Sequence, residues 1–503
     1  MKKLVSILCA AALALSLAAC GAESHSGGGD AKAAVYSLEN ATTFTFSDSG
    51  ITAQDGSYTG YEIDGTTLTI DGAGAYVVTG ACADGSIQIK KGTTGVTLAL
   101  NGLALTSADT APILCGKSTE VVIVAADGST NSLTDAAENN DDSYPDNTEV
   151  ENAVIKCKDG AQVTLCGGGA LTINANGKNG IKSGASTTEE GEASLTIREL
   201  TLTINAPVND AINAQQLLNV ESGTLTISAA DDAIHSDLVL NIGGDGTDGP
   251  TIAITECYEG IEAAELNVLS GNIDILSSGD CLNAANSDLS GYAFSMNISG
   301  GVITACSSSG DGFDSNGDLT ISGGTVTVWT ANTADNQPLD ADGAITVSGG
   351  TVLAAGGSAG MGMNLTAEQP CVTFGSTGGM GGGRPGDMDG SSASIAKDAA
   401  VTITGSDGSA VYSGTALCNA SSFVFLSSPE LTADGSYTLT AGDTSLTATA
   451  QTGSISSGGM GGPGNGGQRP GDRDGGQQAP DFSGGGQPPE RPGSQQSGTA
   501  QNS

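Results

Sequence analysis

The stretch Leu319-Thr-Ile-Ser-Gly-Gly-Thr-Val-Thr-Val328 is a clear copy of the repeat from which the fold is predicted. It contains two short runs in which apolar and polar residues alternate around a glycine turn. Related pairs of runs recur at 195–204, 218–227, 266–275, 296–303 and 345–352. Alternation of β-branched and polar residues is typical of strands with one buried face. The central part of the chain is therefore predicted to be an all-β repeat.

A second unit follows each pair of runs and carries one central apolar residue, as in Asp280-Cys-Leu282-Asn-Ala and Asp311-Gly-Phe313-Asp-Ser. At a mean spacing of 28 residues over nine steps, this central residue recurs as Ile87, Ile113, Ile155, Ile181, Ile212, Ile234, Ile261, Leu282, Phe313 and Leu339. A period of this length that varies by insertion is typical of a solenoid. Three short strands per repeat predict a parallel β-helix of about ten coils, roughly 45–50 Å long. A propeller or a sandwich is the alternative, and a propeller would need a longer period with aromatic signatures.

The composition excludes several classes of function. The 503 residues include 16 Lys and Arg against 56 Asp and Glu, which gives a net charge of −40. Such a chain lacks the clustered cations that hold a phosphate backbone, so nucleic acid is excluded as a partner and an anionic lipid surface is disfavoured. The chain has only two histidines, His25 and His235, which argues against histidine-based catalytic triads and zinc clusters.

The amino-terminal end carries a targeting signal. Two lysines precede an apolar run from Leu4 to Ala19 that is too short for a comfortable transmembrane helix and is typical of a signal peptide. Leu17-Ala-Ala-Cys20 resembles a lipobox, in which the cysteine is acylated and becomes the first residue. We therefore expect an extracytoplasmic monomer that is anchored to the bacterial cell membrane only by a lipid on Cys20.

Composition shifts predict the domain organisation. The carboxyl-terminal tail is too poor in apolar residues to offset its ordering entropy. The predicted parts are a signal peptide (1–20), a tether with an amino-terminal cap (21–59), the β-helix (60–360), a Gly/Met-rich loop (361–395), a small β element (396–452) and a disordered tail (453–503).

Acidic residues recur at two equivalent positions, two places before the central apolar residue and one place after it. Residues 199–383 contain 22 Asp and Glu and no Lys or Arg. Unit charges about 5 Å apart repel by roughly 3 kcal/mol at an effective dielectric constant of 20, and Ca²⁺ prefers such oxygen ligands. The predicted calcium ligands are Asp210, Asp231, Asp232, Glu259, Glu262, Asp280, Asp311, Asp314 and Asp340. A solvated acidic face is the alternative, and whether the two positions face the same way stays open.

Three further features lie outside this acidic pattern. Within the repeat, the basic residues fall in the first coils, where Lys182 is the one plausible base near the acidic residues. The acidic insertion Asp135–Glu151 is expected to be a surface loop, with a lid or a further cation site as alternatives. Nine cysteines remain besides Cys9 and Cys20; without a Cys-x-x-Cys motif they are expected to be buried thiols.

The strand pattern Leu-x-Ile-x-x-Gly-x-Leu-x-Ile, the Asp-Ala-Ile and Asp-Gly-Phe units and the lipobox with a Gly/Met/Pro-rich tail resemble a family of secreted bacterial carbohydrate-binding proteins. The resemblance covers about residues 60–360. It implies a right-handed parallel β-helix similar to that of pectate lyases and bound calcium. It also implies binding of plant-type polysaccharides such as pectic acid or cellulose, without an established lytic role.

We therefore expect a non-catalytic cell-surface protein that binds an acidic, pectic polysaccharide along a calcium-bearing face. Sugar recognition often uses aromatic platforms, for which the candidates are Tyr258, Tyr292, Phe294, Phe313 and Trp329. Two alternatives stay open. One is a calcium-dependent pectate lyase in which Lys182 would be the base. The other is a surface adhesin or spacer whose ligand is a protein.

Overall fold

The alternating runs form strands wherever the structure describes the chain. This computed structural model describes residues 36–54, 56–186, 191–244, 246–331, 336–356, 364–375, 394–420 and 423–456. Those residues contain strands and turns without a helix, which confirms the all-β prediction. In particular, no described segment is an apolar helix of membrane-spanning length. The predicted signal peptide, Cys20, residues 21–35 of the predicted tether and the predicted tail beyond residue 456 lie outside the described residues.

A mostly parallel sheet of 34 strands contains three stacks through which the chain passes in turn. In each stack, a strand pairs in parallel with the equivalent strand of the next repeat. The first stack, which carries the central apolar residues, consists of Thr67–Ile70, Ser86–Ile89, Ile113–Cys115, Ala153–Cys157, Asn179–Ser183, Ile212–Ala214, Ile234–Ile242, Ile261–Val268, Leu282–Ala284 and Phe313–Ser315.

The other two stacks contain the paired runs from which the repeat was predicted. Two long strands of the first stack, Ile234–Ile242 and Ile261–Val268, continue into the second stack. The remaining strands of the second stack are Gly74–Cys82, Val96–Ser107, Glu120–Ala125, Gln162–Cys166, Ser194–Ile197, Leu217–Val220, Ser295–Ile298, Asp318–Ile321, Ile345–Val347 and Asn364–Gly375. The third stack begins with the later halves of Gly74–Cys82 and Val96–Ser107 and continues with Thr130–Asp135, Ala170–Asn174, Thr201–Ala206, Thr224–Ala229, Thr251–Glu256, Asn272–Ser277, Val302–Ser307, Thr325–Thr330 and Thr351–Gly356.

The register of the first stack confirms the predicted repeat. All ten central residues pair with one another in sequence, from Ile87 with Ile113 to Phe313 with Leu339. Each of them is buried, so the column forms one wall of the core. The long step from Ile113 to Ile155 keeps the same register, because the insertion between them leaves the stack as a loop.

Glycine turns between the second and third stacks lie close to the equivalent turns of the neighbouring repeats. Gly324 ends the Ser-Gly-Gly turn that precedes Thr325 and has a φ of +82°, which L-residues with a Cβ rarely adopt. A Cβ on Gly324 would lie 2.7 Å from the carbonyl oxygen of Gly301, the equivalent residue of the preceding repeat. The turns of successive repeats therefore stack at a distance that excludes a side chain.

Asparagines on the outer face of the second stack form a ladder that also fixes the register. The side-chain amide of Asn241 donates to Asn219 at 3.0 Å, Asn267 donates to Asn241 at 3.0 Å and Asn297 donates to Asn267 at 3.1 Å. Each rung joins two repeats, so the ladder holds four passes of the chain together. Cross-strand pairs of this kind stabilise a sheet by about 0.2–1 kcal/mol each.

Two antiparallel hairpins lie at the amino-terminal end of the stacks, and the second includes the first strand of the first stack. Thr42–Ser47 pairs with Gly50–Gln54, and Tyr61–Asp64 pairs with Thr67–Ile70. Thr42–Ser47 also adds a parallel strand beside Gly74–Cys82. The first hairpin therefore covers the amino-terminal edge of that strand.

The predicted loop over 361–395 is wrong in part, because Asn364–Gly375 is a strand. Its residues Thr366 and Ala367 pair in parallel with Thr346 and Val347 and so continue the second stack. The glycine-rich composition that suggested a loop belongs to the residues after 375, which the structure does not describe. The strand itself buries Leu365, Cys371 and Phe374.

The region after residue 395 divides between two sheets. A four-stranded antiparallel sheet contains Ala400–Gly405, Ala410–Thr415, Ser436–Ala441 and Thr444–Thr449. Phe423–Ser427 instead pairs antiparallel with Thr351–Gly356, the last strand of the third stack. Gln451–Ser456 pairs with Asn364–Gly375 and crosses the predicted boundary at 452. An apolar cluster that includes Trp329, Phe374 and Leu439 joins the two sheets.

The nine cysteines in the described residues are all buried and free, as expected from their spacing. Cys115 and Cys157 pair in register within the first stack, where both replace apolar core residues. Free cysteine behaves as a small apolar residue when it is buried.

Candidate functional site

The first stack places polar positions of successive repeats side by side. The residues one place after the central apolar residue pair in register: Asn213 with His235, His235 with Glu262, Glu262 with Asn283, and Asn283 with Asp314. Neighbouring strands in a sheet lie about 4.8 Å apart. Side chains at this position can therefore contact those of the next repeat.

The residues two places before the central one line up just outside the same strands. Backbone hydrogen bonds link them, since the amide of Ala211 donates to the carbonyl of Asp232 (3.0 Å) and that of Ala233 donates to the carbonyl of Glu259 (3.0 Å). The same bond joins later repeats. We call the carboxylates at the two positions, together with the neighbouring Asp231, the acidic row; it contains Asp210, Asp231, Asp232, Glu259, Glu262, Asp280, Asp311, Asp314 and Asp340.

Side chains from the two positions face the same way, which the sequence left open. Asn213 donates from Nδ2 to Asp210 Oδ2 at 2.6 Å, within one repeat. Asn283 donates from Nδ2 to Glu259 Oε2 at 3.0 Å and lies 3.4 Å from Glu262 Oε2, between neighbouring repeats. Side chains at the two positions therefore contact one another both within a repeat and between neighbouring repeats.

Two groups of potential metal ligands share Asp232. Asp210, Asp231 and Asp232 bring one carboxylate oxygen each within 4.8 Å of one another, and so do Asp232, His235 and Glu262 with one ligand atom each. The amide of Asp232 donates to Asp210 Oδ1 at 3.2 Å, which fixes the two carboxylates relative to each other. His235 and Glu262 are buried together with Asp232.

A third group lies further along the row. Asp311, Asp314 and Asp340 also have carboxylate oxygens within 4.8 Å of one another. Asp280 joins this group because its Oδ1 accepts a hydrogen bond from the amide of Asp311 at 2.6 Å, and the amide of Gln337 donates to Asp311 Oδ1. Asp340 is exposed, so this group opens to solvent.

Burial perturbs the carboxylates of this third group. It raises the pKa of Asp280 to about 7 and the pKa of Asp311 to about 8, although backbone hydrogen bonds oppose both shifts. It raises the pKa of Asp314 to about 6, and the charge of Asp340 adds to the shift. The protein itself thus supplies too little positive charge to keep these groups ionised at low cost.

The pKa values of the buried trio Asp232, His235 and Glu262 are also shifted. Burial raises the pKa of Asp232, opposed by its hydrogen bond to His235, and burial also raises the pKa of Glu262, which hydrogen-bonds Glu259. Burial by itself would lower the pKa of His235, but hydrogen bonds to Asp232 and Asp237 raise it above its ordinary value. A positive charge at this position is therefore strongly favoured.

The donor set fits a divalent cation. Asp232 Oδ1 and Asn283 Oδ1 are buried in the acidic row without a hydrogen-bond partner. Buried polar atoms are usually paired, so an unpaired oxygen among carboxylates is suited to bind a cation or a water molecule. Carboxylate and amide oxygens are the ligands that Ca²⁺ takes in proteins. The residues present would hold such an ion.

Seven of the nine predicted ligands fall in the three groups with metal-ligand spacing, whereas Glu259 and Asp280 do not, and three neighbouring residues were not predicted from the sequence. His235 and Asn283 occupy the position one place after the central residue, so the repeat register was the signal that could have included them. Asp237 lies outside both repeating positions, and its contact with His235 is visible only in three dimensions.

Lys182, the predicted base for the lyase alternative, lies one repeat before the acidic row. It pairs in register with Lys156 on one side and with Asn213 on the other. Asn213 in turn donates to Asp210, so Lys182 is separated from the first carboxylate of the row by one side chain. Burial lowers the pKa of Lys156, and the neighbouring charge of Lys182 lowers it further.

The insertion between Ile113 and Ile155 is held to the body of the protein by polar contacts. Asp135 is buried and accepts hydrogen bonds from the amides of Asn176 (2.7 Å) and Gly177 (3.0 Å). Lys178 forms an ion pair with the exposed Asp142 at 2.5 Å. Among the described residues, the insertion contributes to none of the three groups that have metal-ligand spacing.

The aromatic candidates separate into two kinds. Phe313 and Trp329 are completely buried, so the prediction that they could contact sugar is wrong: the central column and the terminal apolar cluster need their volume. Tyr292 is exposed and packs against Phe294 with 5.6 Å between ring centroids. Tyr258 lines a cavity of about 790 Å³ between the third stack and the terminal region.

These observations define a class: an all-β protein whose stacked parallel strands present a long row of carboxylates in register. A family profile for carbohydrate-binding domain-containing proteins matches residues 64–360, more than half of the chain. The chain belongs to this family of carbohydrate-binding domain-containing proteins.

Two known proteins are similar to parts of the chain. A carbohydrate-binding domain-containing protein of Acetivibrio thermocellus is 35% identical over 123 residues, which are 24% of this chain and 42% of the relative. The chain thus matches about two fifths of that relative's length. Among solved structures, the polysaccharide lyase-like protein from C. thermocellum (gadolinium derivative) aligns with 62% of this chain and 93% of its own, at 22% identity and a TM-score of 0.32.

Proposed function

We propose that the protein is a non-catalytic cell-surface protein that binds an acidic polysaccharide through calcium ions on the acidic row. In this proposal the three stacks form a right-handed parallel β-helix, and a lipid on Cys20 anchors the chain to the bacterial cell membrane. Membership of the carbohydrate-binding domain family supports the sugar ligand. The charge of the row supports the choice of an acidic sugar bridged by metal.

One observation carries the proposal: carboxylates of successive repeats gather at metal-ligand spacing in a part of the chain, residues 199–383, that has no Lys or Arg. Without a cation, these carboxylates repel one another and would repel an acidic polysaccharide. A hard divalent ion reverses both effects, because its large coordination number leaves positions for carboxylates of the sugar. A solvated acidic face would explain the charge but not the burial of Asp232 and Glu262.

The group around Asp311 is the best candidate for contact with the sugar. Asp311, Asp314 and the exposed Asp340 would hold a calcium ion at the surface of the protein. The bound ion would supply positive charge and open coordination positions. The group around Asp210 and Asp232 is more deeply buried and would hold an ion with fewer positions free.

An aromatic pair lies on a loop that follows a strand of the first stack and is suited to stack against a sugar ring. Tyr292 and Phe294 lie on the loop that leaves the first-stack strand Leu282–Ala284. Asn286 of the same loop donates from Nδ2 to the carbonyl of Asp237 at 2.8 Å, beside His235. Together, this aromatic pair and calcium ions on the acidic row would offer apolar contact and positive charge to a uronic acid polymer.

The test is calorimetric titration of the full chain with polygalacturonate, in Ca²⁺ and in EDTA. We expect binding in Ca²⁺ that falls at least tenfold in EDTA and in the variant Asp311→Asn, Asp314→Asn, Asp340→Asn. The matched control is Asp109→Asn, Asp146→Asn, Glu149→Gln, which removes three acids from exposed positions outside the row. Equal affinity in EDTA, or an equal loss in the control variant, would contradict the proposal.

A calcium-dependent pectate lyase is the second candidate, and the paired lysines before the row favour it. Lys156 has a lowered pKa, so its amine is easier to deprotonate next to Lys182. In β-elimination from a uronide, such a base removes the proton next to the carboxylate, the C–O bond to the leaving sugar breaks and a C=C bond forms. Ultraviolet absorbance of an unsaturated product, lost in Lys182→Ala, would replace the binding proposal with this one.

A further inference from the structure

His235 is a histidine that lies among the carboxylates of the acidic row. It pairs in register with Asn213 on one side and with Glu262 on the other. Its side chain is 11% exposed and lies beside the carboxylate of Asp232, which is 2% exposed. The chain has one other histidine, His25, so this residue gives the acidic row a chemistry that its other positions lack.

Both ring nitrogens of His235 lie against carboxylates. Nε2 is 2.9 Å from Asp237 Oδ1, while Nδ1 is 3.1 Å from Asp232 Oδ2 and 3.6 Å from Glu262 Oε1. A neutral imidazole has one N–H, so a ring that donates from Nε2 to Asp237 presents the Nδ1 lone pair to two carboxylates. That arrangement needs a positive charge between Nδ1 and the carboxylates, supplied by a proton or by a metal ion.

The position of Asp237 favours a metal ion. Histidines that bind a metal through one nitrogen usually donate from the other nitrogen to a carboxylate, which fixes the ring orientation. His235 has this arrangement, with Asp237 on one side and the trio of ligand atoms on the other. The trio lies on first-stack strands and their entry turns, which the paired backbone holds in place.

A second observation concerns Asp232, which belongs to the same trio. Asp232 Oδ1 is completely buried and has no hydrogen-bond partner, although Oδ2 of the same carboxylate contacts His235. Leaving a buried carboxylate oxygen unpaired costs free energy. A metal ion bound between Asp232, His235 and Glu262 would remove that cost.

We propose that Asp232, His235 and Glu262 form a site for a borderline transition-metal ion such as Zn²⁺, distinct in selectivity from the all-oxygen group of Asp311, Asp314 and Asp340. Imidazole nitrogen with carboxylates suits zinc, whereas calcium takes oxygen ligands. A tetrahedral zinc ion with ligands at about 2.0–2.2 Å places them about 3.3–3.6 Å apart. The two separations from Nδ1, 3.1 and 3.6 Å, lie within a few tenths of an ångström of that range.

This inference deepens the proposed function, since it rests on the acidic row binding cations and assigns two kinds of cation to it. The competing account is a protonated His235 that acts only as a counter-ion for Asp232 and Glu262. The two accounts differ in what the removal of the nitrogen does. Loss of a counter-ion lowers stability without metal, whereas loss of a ligand lowers zinc affinity.

The experiment measures Zn²⁺ binding to the full chain by calorimetry in the presence of millimolar Ca²⁺, with metal content checked by mass spectrometry. His235→Asn is the test variant, because Asn213 and Asn283 show that the first stack accepts asparagine at this position. His25→Asn is the matched control, since it removes the other histidine of the chain. Asp314→Asn is the control for the oxygen-only group.

We expect one zinc ion per chain that millimolar calcium does not displace, with at least a tenfold loss of affinity in His235→Asn and none in His25→Asn or Asp314→Asn. Cu²⁺ loaded at the same site should show nitrogen hyperfine splitting in its electron paramagnetic resonance spectrum, and His235→Asn should lose it. Unchanged zinc affinity in His235→Asn, loss in His25→Asn instead, or displacement by calcium would overturn the inference. If calcium still binds through Asp314, the proposed function survives that result; if no divalent ion binds anywhere, both fail.

Discussion

The amino-terminal repeats and the later repeats share one strand register but differ in what lies beside their carboxylates. In the early repeats, lysines pair with nearby acids, as Lys117 does with Asp159 at 2.9 Å and Lys158 with Glu151 at 2.7 Å. Residues 199–383 offer no lysine or arginine for that purpose. The later repeats instead concentrate their acids in a row with metal-ligand spacing.

The fold requires an apolar residue at the central position of the repeat, whereas the residue type at the next position can vary. The central residue is apolar and buried in every repeat from Ile87 to Leu339. The residue that follows it changes from Lys156 and Lys182 to His235 and further on to carboxylates, without loss of register. A change of charge along one face therefore needs no change of fold.

The largest expected effect tests whether the core is common to both regions. Ile155→Ala and Ile234→Ala remove equivalent, completely buried side chains from the early and later repeats. Each should lower the free energy of unfolding by about 2–5 kcal/mol through lost burial and the cavity left behind. Denaturant titrations in Ca²⁺ and in EDTA should give similar losses for the two variants. If the free energy of unfolding fell in only one of the two variants, or fell only in EDTA, cations on the acidic row would also stabilise the core.

Much of the fold could be predicted because the repeat exposes it. Burial of one residue per repeat leaves an apolar residue at a regular place in the sequence, and pairing in parallel keeps those places adjacent. The spacing from Ile212 to Ile234 and from Leu282 to Phe313 therefore predicts contacts directly. Most of the carboxylates could be grouped for the same reason, since all but Asp231 stand either two places before or one place after the central residue.

What could not be predicted depends on contacts without a period. Asp237 contacts His235 where the strand Ile234–Ile242 passes from one stack into the next, at a register shift between Ser236 and Val239. Trp329 was a candidate for sugar contact but is buried in the apolar cluster that the terminal region closes over. Asn364–Gly375 lies next to glycine-rich sequence, and its pairing partners are distant in the chain.

The next largest effect is expected from giving the later repeats the lysine of the early ones. Asn283→Lys places an ammonium group at the register position that Lys182 occupies, where Asn283 now contacts Glu259 and Glu262. The lysine should replace the metal ion as the neutralising charge. We expect stabilisation in EDTA of about 1–3 kcal/mol relative to Asn283→Met, from hydrogen bonds to charged groups.

Asn283→Met controls for the size of the new side chain, because methionine is long but uncharged. Thermal denaturation should show that Ca²⁺ raises the melting temperature of the wild type and of Asn283→Met, and raises that of Asn283→Lys by less, because only the group of Asp311, Asp314 and Asp340 keeps its ligands. An equal response to Ca²⁺ in all three proteins would mean that the metal does not act at this part of the row.

A smaller effect follows from the pKa values of the solvent-facing group. Burial raises the pKa values of Asp280, Asp311 and Asp314 to about 7, 8 and 6, above the ordinary value of 3.8. The folded protein therefore keeps protons that the unfolded chain loses, and this contribution to stability is complete below about pH 4 and lost as the pH rises through 6 to 8. In EDTA, the melting temperature should fall by several degrees between pH 5 and pH 9. With Ca²⁺ present the fall should shrink, because the ion takes the place of the protons. A melting temperature in EDTA that rises over this range would exclude the perturbed carboxylates as its cause.

The smallest effect is expected from removing an ion pair of the early repeats. Lys117→Met breaks the contact with Asp159, whose side chain is 36% exposed, while the lysine is 39% exposed. Such a pair contributes at most about 1 kcal/mol and is screened further by salt. Denaturant titration should find a loss within that limit, and calorimetry should find no new Ca²⁺ binding at the freed carboxylate. A gain of calcium affinity comparable to that of the later repeats would mean that any local excess of negative charge recruits the ion. The absence of such a gain would show that the ion requires acids in consecutive repeats, which the register of the first stack provides from Asp210 onward.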